Sequence, residues 1–111
     1  MQPMGTGRLK EMLQREREME LINVLPKDQF EKEHIPGSIN IPVGANDFAD
    51  RVQDAVGTKK KTVVVYCASE ECDASPKAAR MLDDAGFRRV YDYEAGMSAW
   101  RDAGLPVEKA H

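Results

Sequence analysis

The chain has 111 residues, and we expect one domain over residues 1–111 with a loose N-terminal segment at 1–7. Its 41% hydrophobic and 32% charged residues are typical of a soluble globular protein. A net charge of −3 gives no reason to expect nucleic acid or an anionic membrane as a partner. No apolar run approaches the ~20 residues of a membrane span. The N-terminus lacks a secretory apolar stretch, so a cytoplasmic location is predicted.

Apolar periodicity and turn residues predict five elements in the first half of the chain: a helix over 8–18, a strand over 21–24, a helix over 27–33, a strand over 38–41 and a helix over 48–56. Pro26, Pro42 and Gly57 separate these segments. Near the end of the chain, the pattern predicts a strand over 87–91 and a short helix with Trp100 as a core residue. Strands that alternate with helices predict an α/β fold, with a central parallel sheet flanked by helices on both faces.

The middle of the chain reads as a strand over 62–66, a loop that opens on Cys67, and a helix that starts at Ser75-Pro76. Ser75 can cap the helix, and Pro76 fits its first position. Cys67 is therefore expected at the carboxyl end of a central strand, where ligands bind in such sheets. The positive helix N-terminus would favour a nucleophilic thiolate there. The plainer interpretation is a small buried hydrophobic residue, and the order of elements favours the functional one.

The two cysteines, Cys67 and Cys72, are five residues apart, which does not indicate a disulfide scaffold. With only two histidines and no CxxC pair, the sequence predicts no metal site and no cofactor. In a reducing compartment this pair indicates reactive or redox-active thiols. His34 could be proposed as a general base, but the Pro-Gly turn that follows it makes a structural role the better interpretation.

Three segments of the chain resemble the single-domain rhodanese family: HIPGSINIP at 34–42, VVVYC at 63–67 and GMSAWRDAGLPVE at 96–108. The resemblance extends over residues 21–108 and implies a rhodanese-like α/β domain. It also implies that Cys67 accepts sulfane sulfur as a persulfide and passes it to a thiol or to cyanide. The partners would be a small donor (thiosulfate, polysulfide or a persulfide) and a thiol acceptor that could be protein-bound.

The loop after the cysteine would hold the anionic persulfide with its backbone N–H groups. It consists of Ala68, Ser69, Glu70, Glu71, Cys72, Asp73 and Ala74. Ser75 follows Cys67 by eight residues, a longer spacing than the family usually has, so the loop is elongated. The first predicted strand of the chain ends in Asn23-Val24-Leu25 in place of the Asp-Val-Arg usual in the family, so a salt bridge that braces the loop region is expected to be absent.

The loop carries Glu70, Glu71 and Asp73 and has no Arg or Lys. These carboxylates would either repel thiosulfate and raise the pKa of Cys67, or face water with little effect, and the sequence leaves both open.

Three alternatives to sulfur transfer follow from the same residues. One is a thiol redox protein or sensor with a reversible Cys67–Cys72 disulfide, in which Cys72 is the resolving thiol. A cysteine phosphatase or arsenate reductase is disfavoured, because Asp73 stands where an oxyanion-binding Arg would be expected. A non-catalytic recognition module is the third, and the cysteine at the strand end counts against it.

Overall fold

The computed structural model describes residues 2–15 and 19–109. Its strands and helices alternate in the order β1 Gln2–Pro3, α1 Thr6–Arg15, β2 Met19–Asn23, α2 Lys27–Lys32, β3 Ile39–Asn40, α3 Phe48–Val56, β4 Thr62–Tyr66, α4 Ala74–Asp84, β5 Arg89–Tyr93 and α5 Gly96–Asp102. Among the described helices, none has the length and apolar character needed to cross a membrane.

The five strands form one sheet in the order β1-β5-β4-β2-β3, and every strand pair is parallel. The central strand is β4, in which Val64 lies opposite Leu21 of β2 and Tyr91 of β5. All five residues of β4 are buried, as its unbroken apolar run predicts. The predicted α/β fold with a parallel sheet is confirmed.

Helices cover both faces of the sheet. On one face, α3 and α4 bury Phe48, Val52 and Leu82 against alternate residues of β4. On the other face, α1 and α5 bury Leu9 and Trp100 with the remaining side chains of the strands. Trp100 is 4% exposed and its indole N–H donates to the carbonyl oxygen of Pro106 at 2.7 Å, which agrees with the predicted core role.

Residues 2–7 pack against the domain, where the sequence predicted a loose segment at 1–7, of which Met1 lies outside the described residues. Gln2 and Pro3 pair with Tyr91 and Asp92 of β5, and the backbone N–H of Met4 donates to the Asp92 carbonyl oxygen at 3.0 Å. Met4 is 5% exposed, so its burial anchors the segment. A strand of two residues is too short to produce a periodic pattern, which explains the wrong prediction.

Other predicted boundaries also shift, among them those of the last strand and the first helix. The last strand covers Arg89–Tyr93 rather than 87–91, because the N–H of Phe87 bonds to the Leu82 carbonyl oxygen and completes the end of α4. The first helix begins at Thr6, before the predicted residue 8, and is described to Arg15. Residues 16–18 of the predicted helix lie outside the described residues.

Candidate active site

Cys67 lies directly after β4 at the carboxyl edge of the sheet, where the sequence predicts it. Its residue surface is 0% exposed. The carbonyl oxygens of Cys67 and Ala68 accept hydrogen bonds of 2.9 Å from the backbone N–H groups of Met97 and Ser98, in the first turn of α5. The start of the loop is therefore fixed by a helix that lies about thirty residues later in the chain.

The loop and the start of α4 surround the sulfur of Cys67. Three acceptors lie within reach of its single thiol hydrogen: the hydroxyl oxygen of Ser75 at 3.5 Å, the carbonyl oxygen of Cys72 at 3.6 Å and the carbonyl oxygen of Ser69 at 4.0 Å. The loop itself turns through a hydrogen bond of 3.1 Å from the Cys72 N–H to the Ser69 carbonyl oxygen. Ser69 and Cys72 belong to the predicted loop, and the structure gathers them together with Ser75 around the thiol.

Burial raises the pKa of the Cys67 thiol, because the charged form loses its hydration. The neighbouring Cys72 thiol raises this pKa further, while the hydroxyl and N–H of Ser75 lower it. The N–H of Ser75, in the first turn of α4, thus acts in the direction that the sequence predicts for the helix N-terminus, but burial has the larger effect and the pKa of Cys67 is raised.

Ser75 does not cap α4 as predicted. The helix begins one residue earlier, at Ala74, and the residue in the capping position is Asp73, whose side chain makes no capping hydrogen bond. Ser75 lies in the first turn with 0% exposure, and its hydroxyl faces the sulfur. Pro76 follows it within the first turn, where a missing N–H is tolerated.

The three acidic residues of the loop, Glu70, Glu71 and Asp73, are exposed to solvent. None of them forms an ion pair with another of the described residues. Hydration and salt weaken the field of such carboxylates. Of the two interpretations left open by the sequence, their exposure favours the one in which they face water.

An open cavity of about 470 Å³ borders the first half of the loop. Its lining residues are Leu25, Gln29, Lys32, Glu33, Ala68, Ser69, Met97, Ser98, Arg101 and Lys109. The guanidinium of Arg101 is paired with Glu33, so Lys32 and Lys109 are the cations without an ion pair among the described lining residues. The sequence analysis missed this positive charge, because α2, α5 and the tail are brought together only by the fold.

The HIPGSINIP segment has a structural role. His34 stacks on Phe30 with ring centroids 3.9 Å apart, and its Nδ1 lies 2.9 Å from the Phe30 carbonyl oxygen. The next residue, Ile35, donates its N–H to the Tyr66 hydroxyl at 3.0 Å, and Ser38 lies 2.8 Å from the same oxygen. These contacts hold the last residue of β4, directly before Cys67, and agree with the structural interpretation of His34.

Hydrogen bonds brace the Asn23-Val24-Leu25 turn, where the family's salt bridge was expected to be absent. The side-chain oxygen of Asn23 accepts the Leu25 N–H at 3.0 Å. The side-chain amide of Asn40 donates to the carbonyl oxygens of Leu25 at 2.8 Å and Asn23 at 3.1 Å. Leu25 is thereby fixed as part of the cavity wall.

The family model described as "Rhodanese-like domain" matches residues 6–103. An HTH-type transcriptional regulator of Mycobacterium tuberculosis is 40% identical over 92 residues, which cover 83% of this chain and 38% of the regulator. Thiosulfate sulfurtransferase 16 of Arabidopsis thaliana is 33% identical over 96 residues, which cover 78% of each chain. The solution structure of a rhodanese-like domain from Anabaena sp. has a TM-score of 0.83 and 26% identity, and covers 98% of this chain and 80% of that one. The chain thus spans well under half of the regulator's length.

Proposed function

The chain belongs to the rhodanese-like family, and from this premise we propose that it transfers sulfane sulfur through a persulfide on Cys67. The observation that carries the proposal is the position of Cys67 at the carboxyl end of the central strand, with the loop of residues 68–74 folded around its sulfur. The similarity to a plant thiosulfate sulfurtransferase supports the same reaction class. The physiological donor and acceptor would be a small sulfur compound and a thiol.

The reaction has two displacement steps. The Cys67 thiolate attacks the outer sulfur of the donor, a new S–S bond forms, and the donor's own bond to that sulfur breaks with its electron pair on the leaving group. In the second step the acceptor thiolate attacks the outer sulfur of the persulfide and releases the Cys67 thiolate. Because Cys67 is fully buried, the loop has to open before a donor can reach the sulfur.

The cavity beside the loop is the proposed place for the donor. Its volume of about 470 Å³ lies in the range of small-molecule sites and leaves room for an organic body beyond a single sulfur group. The ammonium groups of Lys32 and Lys109 suit a carboxylate or another anionic group on such a molecule. The apolar side chains of Leu25 and Met97 suit its carbon skeleton.

The test is the intact mass of the purified protein after incubation with thiosulfate or polysulfide, and again after dithiothreitol. We expect a gain of about one sulfur atom that dithiothreitol removes, and transfer of this sulfur to cyanide. Cys67→Ser, which replaces the thiol by a hydroxyl that is not ionised at neutral pH, should lose both. The matched control is Cys72→Ser, which should keep basal transfer. Transfer by Cys67→Ser at the parent rate would overturn the assignment.

A second candidate function is a thiol redox switch, favoured by the contact between the two cysteines. The Cys72 thiol lies close enough to Cys67 to raise its pKa, and the Cys72 carbonyl oxygen lies 3.6 Å from the Cys67 sulfur. Attack of Cys72 on the inner sulfur of the persulfide would release hydrosulfide and leave a disulfide. Peptide mass mapping after peroxide treatment, without reductant, should show the linked pair. Unlinked cysteines would remove this candidate.

A further inference from the structure

Asp92 is a fully buried acidic residue in β5 that the proposed reaction does not use. It lies opposite Val65 of β4 in the register of the sheet, and its exposure is 0%. Neither of its carboxyl oxygens has a hydrogen-bond partner among the described residues. A buried carboxyl group without partners is costly, so its presence in the core calls for an explanation.

The groups that face Asp92 come from three elements. From α4, the Ser75 hydroxyl lies close enough to lower the pKa of the carboxyl group, although without a hydrogen bond of normal geometry. From the turn after β5, the negative charge of Glu94 raises this pKa, and burial raises it more. From the residue after β1, the contact is the backbone N–H of Met4, which bonds to the Asp92 carbonyl oxygen and not to its side chain.

Ser75, in the first turn of α4, thus acts on both groups: it contacts the sulfur of Cys67 and lowers the pKa of Asp92. Its oxygen is 3.5 Å from the Cys67 sulfur and accepts a hydrogen bond from the thiol in that contact. A hydroxyl group has one hydrogen, so Ser75 can donate to the carboxylate or to the sulfur, but not to both at once. The charge on Asp92 therefore decides which of the two groups receives that hydrogen.

We propose that Asp92 is a positioning residue that acts through Ser75 to set the protonation state of Cys67. This inference rests on the proposed function, in which Cys67 is the nucleophile. When Asp92 is ionised, Ser75 donates to it and presents its lone pairs to the sulfur, so Cys67 keeps its proton. When residue 92 is neutral, it donates to the Ser75 oxygen, and the Ser75 hydrogen turns to the sulfur. The thiol then releases its proton to water more readily.

The test is the alkylation rate of Cys67 by iodoacetamide across pH, in a Cys72→Ser background so that one thiol reacts. Asp92→Asn keeps the shape of the side chain and supplies a donor to Ser75 without a charge. We expect it to lower the pH midpoint of alkylation by roughly one unit, with about tenfold faster alkylation below the midpoint. An unchanged midpoint would overturn the proposal.

Ser75→Ala distinguishes action through the hydroxyl from a direct effect of charge. In the Ser75→Ala background, Asp92→Asn should shift the midpoint far less. An equal shift with and without Ser75 would show that Asp92 acts through space, and the proposal would be wrong.

A further readout needs no substitution at residue 92. In the protein that retains Asp92, the alkylation rate plotted against pH should show an inflection at the pH where Asp92 ionises. There the rate stops rising, and at higher pH it rises again but stays below the values expected for a neutral residue 92. A profile with a single ionisation would contradict the proposal, even if Asp92→Asn did not fold. All these measurements report thiol ionisation and not sulfur transfer, so they fail separately from the proposed function.

Discussion

Gly96 lies where the start of α5 touches the loop that follows Cys67, and replacing it by alanine should move this loop directly. Its φ is +69°, a left-handed conformation that costs an L-residue about 1–2 kcal/mol. An added Cβ would lie 2.5 Å from the Cys67 carbonyl oxygen and 2.9 Å from the Ser69 nitrogen. Both neighbours are backbone atoms, so relief of the contact requires the loop itself to move.

The size of the effect follows from the contacts that would be lost. Movement of the loop breaks the two 2.9 Å hydrogen bonds from Met97 and Ser98 to the loop carbonyls, each worth about 1 kcal/mol net. With the conformational cost, Gly96→Ala should lower the free energy of unfolding by about 3–4 kcal/mol. Small domains have about 5–15 kcal/mol, so we expect the variant to fold.

Gly104→Ala is the matched control. Gly104 has a φ of +76°, but an added Cβ would meet no atom within 4 Å, so this variant should lose only the conformational cost of about 1–2 kcal/mol. Urea unfolding and the rate of sulfur transfer to cyanide should be measured for both proteins. We expect Gly96→Ala to be less stable than Gly104→Ala and to transfer sulfur at least about tenfold more slowly. A tenfold slower rate corresponds to an increase of about 1.4 kcal/mol in the activation free energy when the loop is misplaced. Equal losses in the two variants would refute the argument that Gly96 positions the loop.

Three further predictions concern the cavity, the second cysteine and the buried acid. Lys32→Met should raise the KM for an anionic sulfur donor, most clearly at low salt, whereas Lys60→Met in an exposed turn should not; equal effects would mean that the cavity does not hold the donor. Cys72→Ser should lose reversible protection under peroxide and accumulate sulfinic acid on Cys67, as read by peptide mass mapping; reversible protection that persists would make Cys72 a packing residue. Burial raises the pKa of Asp92, so folding favours the protonated carboxyl group. The resulting contribution to the free energy of unfolding is complete below the unfolded pKa of about 3.9 and is lost as pH rises through the folded pKa. Asp92→Asn should therefore stabilise the protein at pH 7 by about 1–3 kcal/mol in urea unfolding and flatten this pH dependence, and a less stable variant would contradict the sign.

The fold and the position of Cys67 are predictable because they depend on local patterns. The apolar run of β4 and its helical neighbours identify a buried parallel strand, and the cysteine follows that strand directly. The role of Ser75 was not predictable, because Ser-Pro is also a common helix start, and the choice depends on where the loop places the sulfur. Asp92 gave no signal either, since the predicted strand ended at residue 91, whereas in the structure Asp92 is a buried residue of β5.

The cations of the cavity show a different limit of sequence reasoning. Lys32, Arg101 and Lys109 lie in three separate segments, and no spacing along the chain relates them. The charged residues within the loop are all acidic, whereas the cavity beside the loop is lined by both acidic and basic side chains. The electrostatic potential in the cavity depends on which distant segments the fold brings together, so it can be determined only from the structure.

The hydrogen bonds from α5 to the loop also have a consequence for the protein during its synthesis. Ser98 is made 31 residues after Cys67, which corresponds to about 2–6 s at ribosomal rates of roughly 5–20 residues per second. Until then the carbonyl groups of Cys67 and Ala68 lack their donors, and β5 is not yet available to flank the central strand. The pocket that fully buries the thiol in the finished protein therefore depends on a part of the domain that is made later than Cys67, and the loop can close only after that part has joined the sheet.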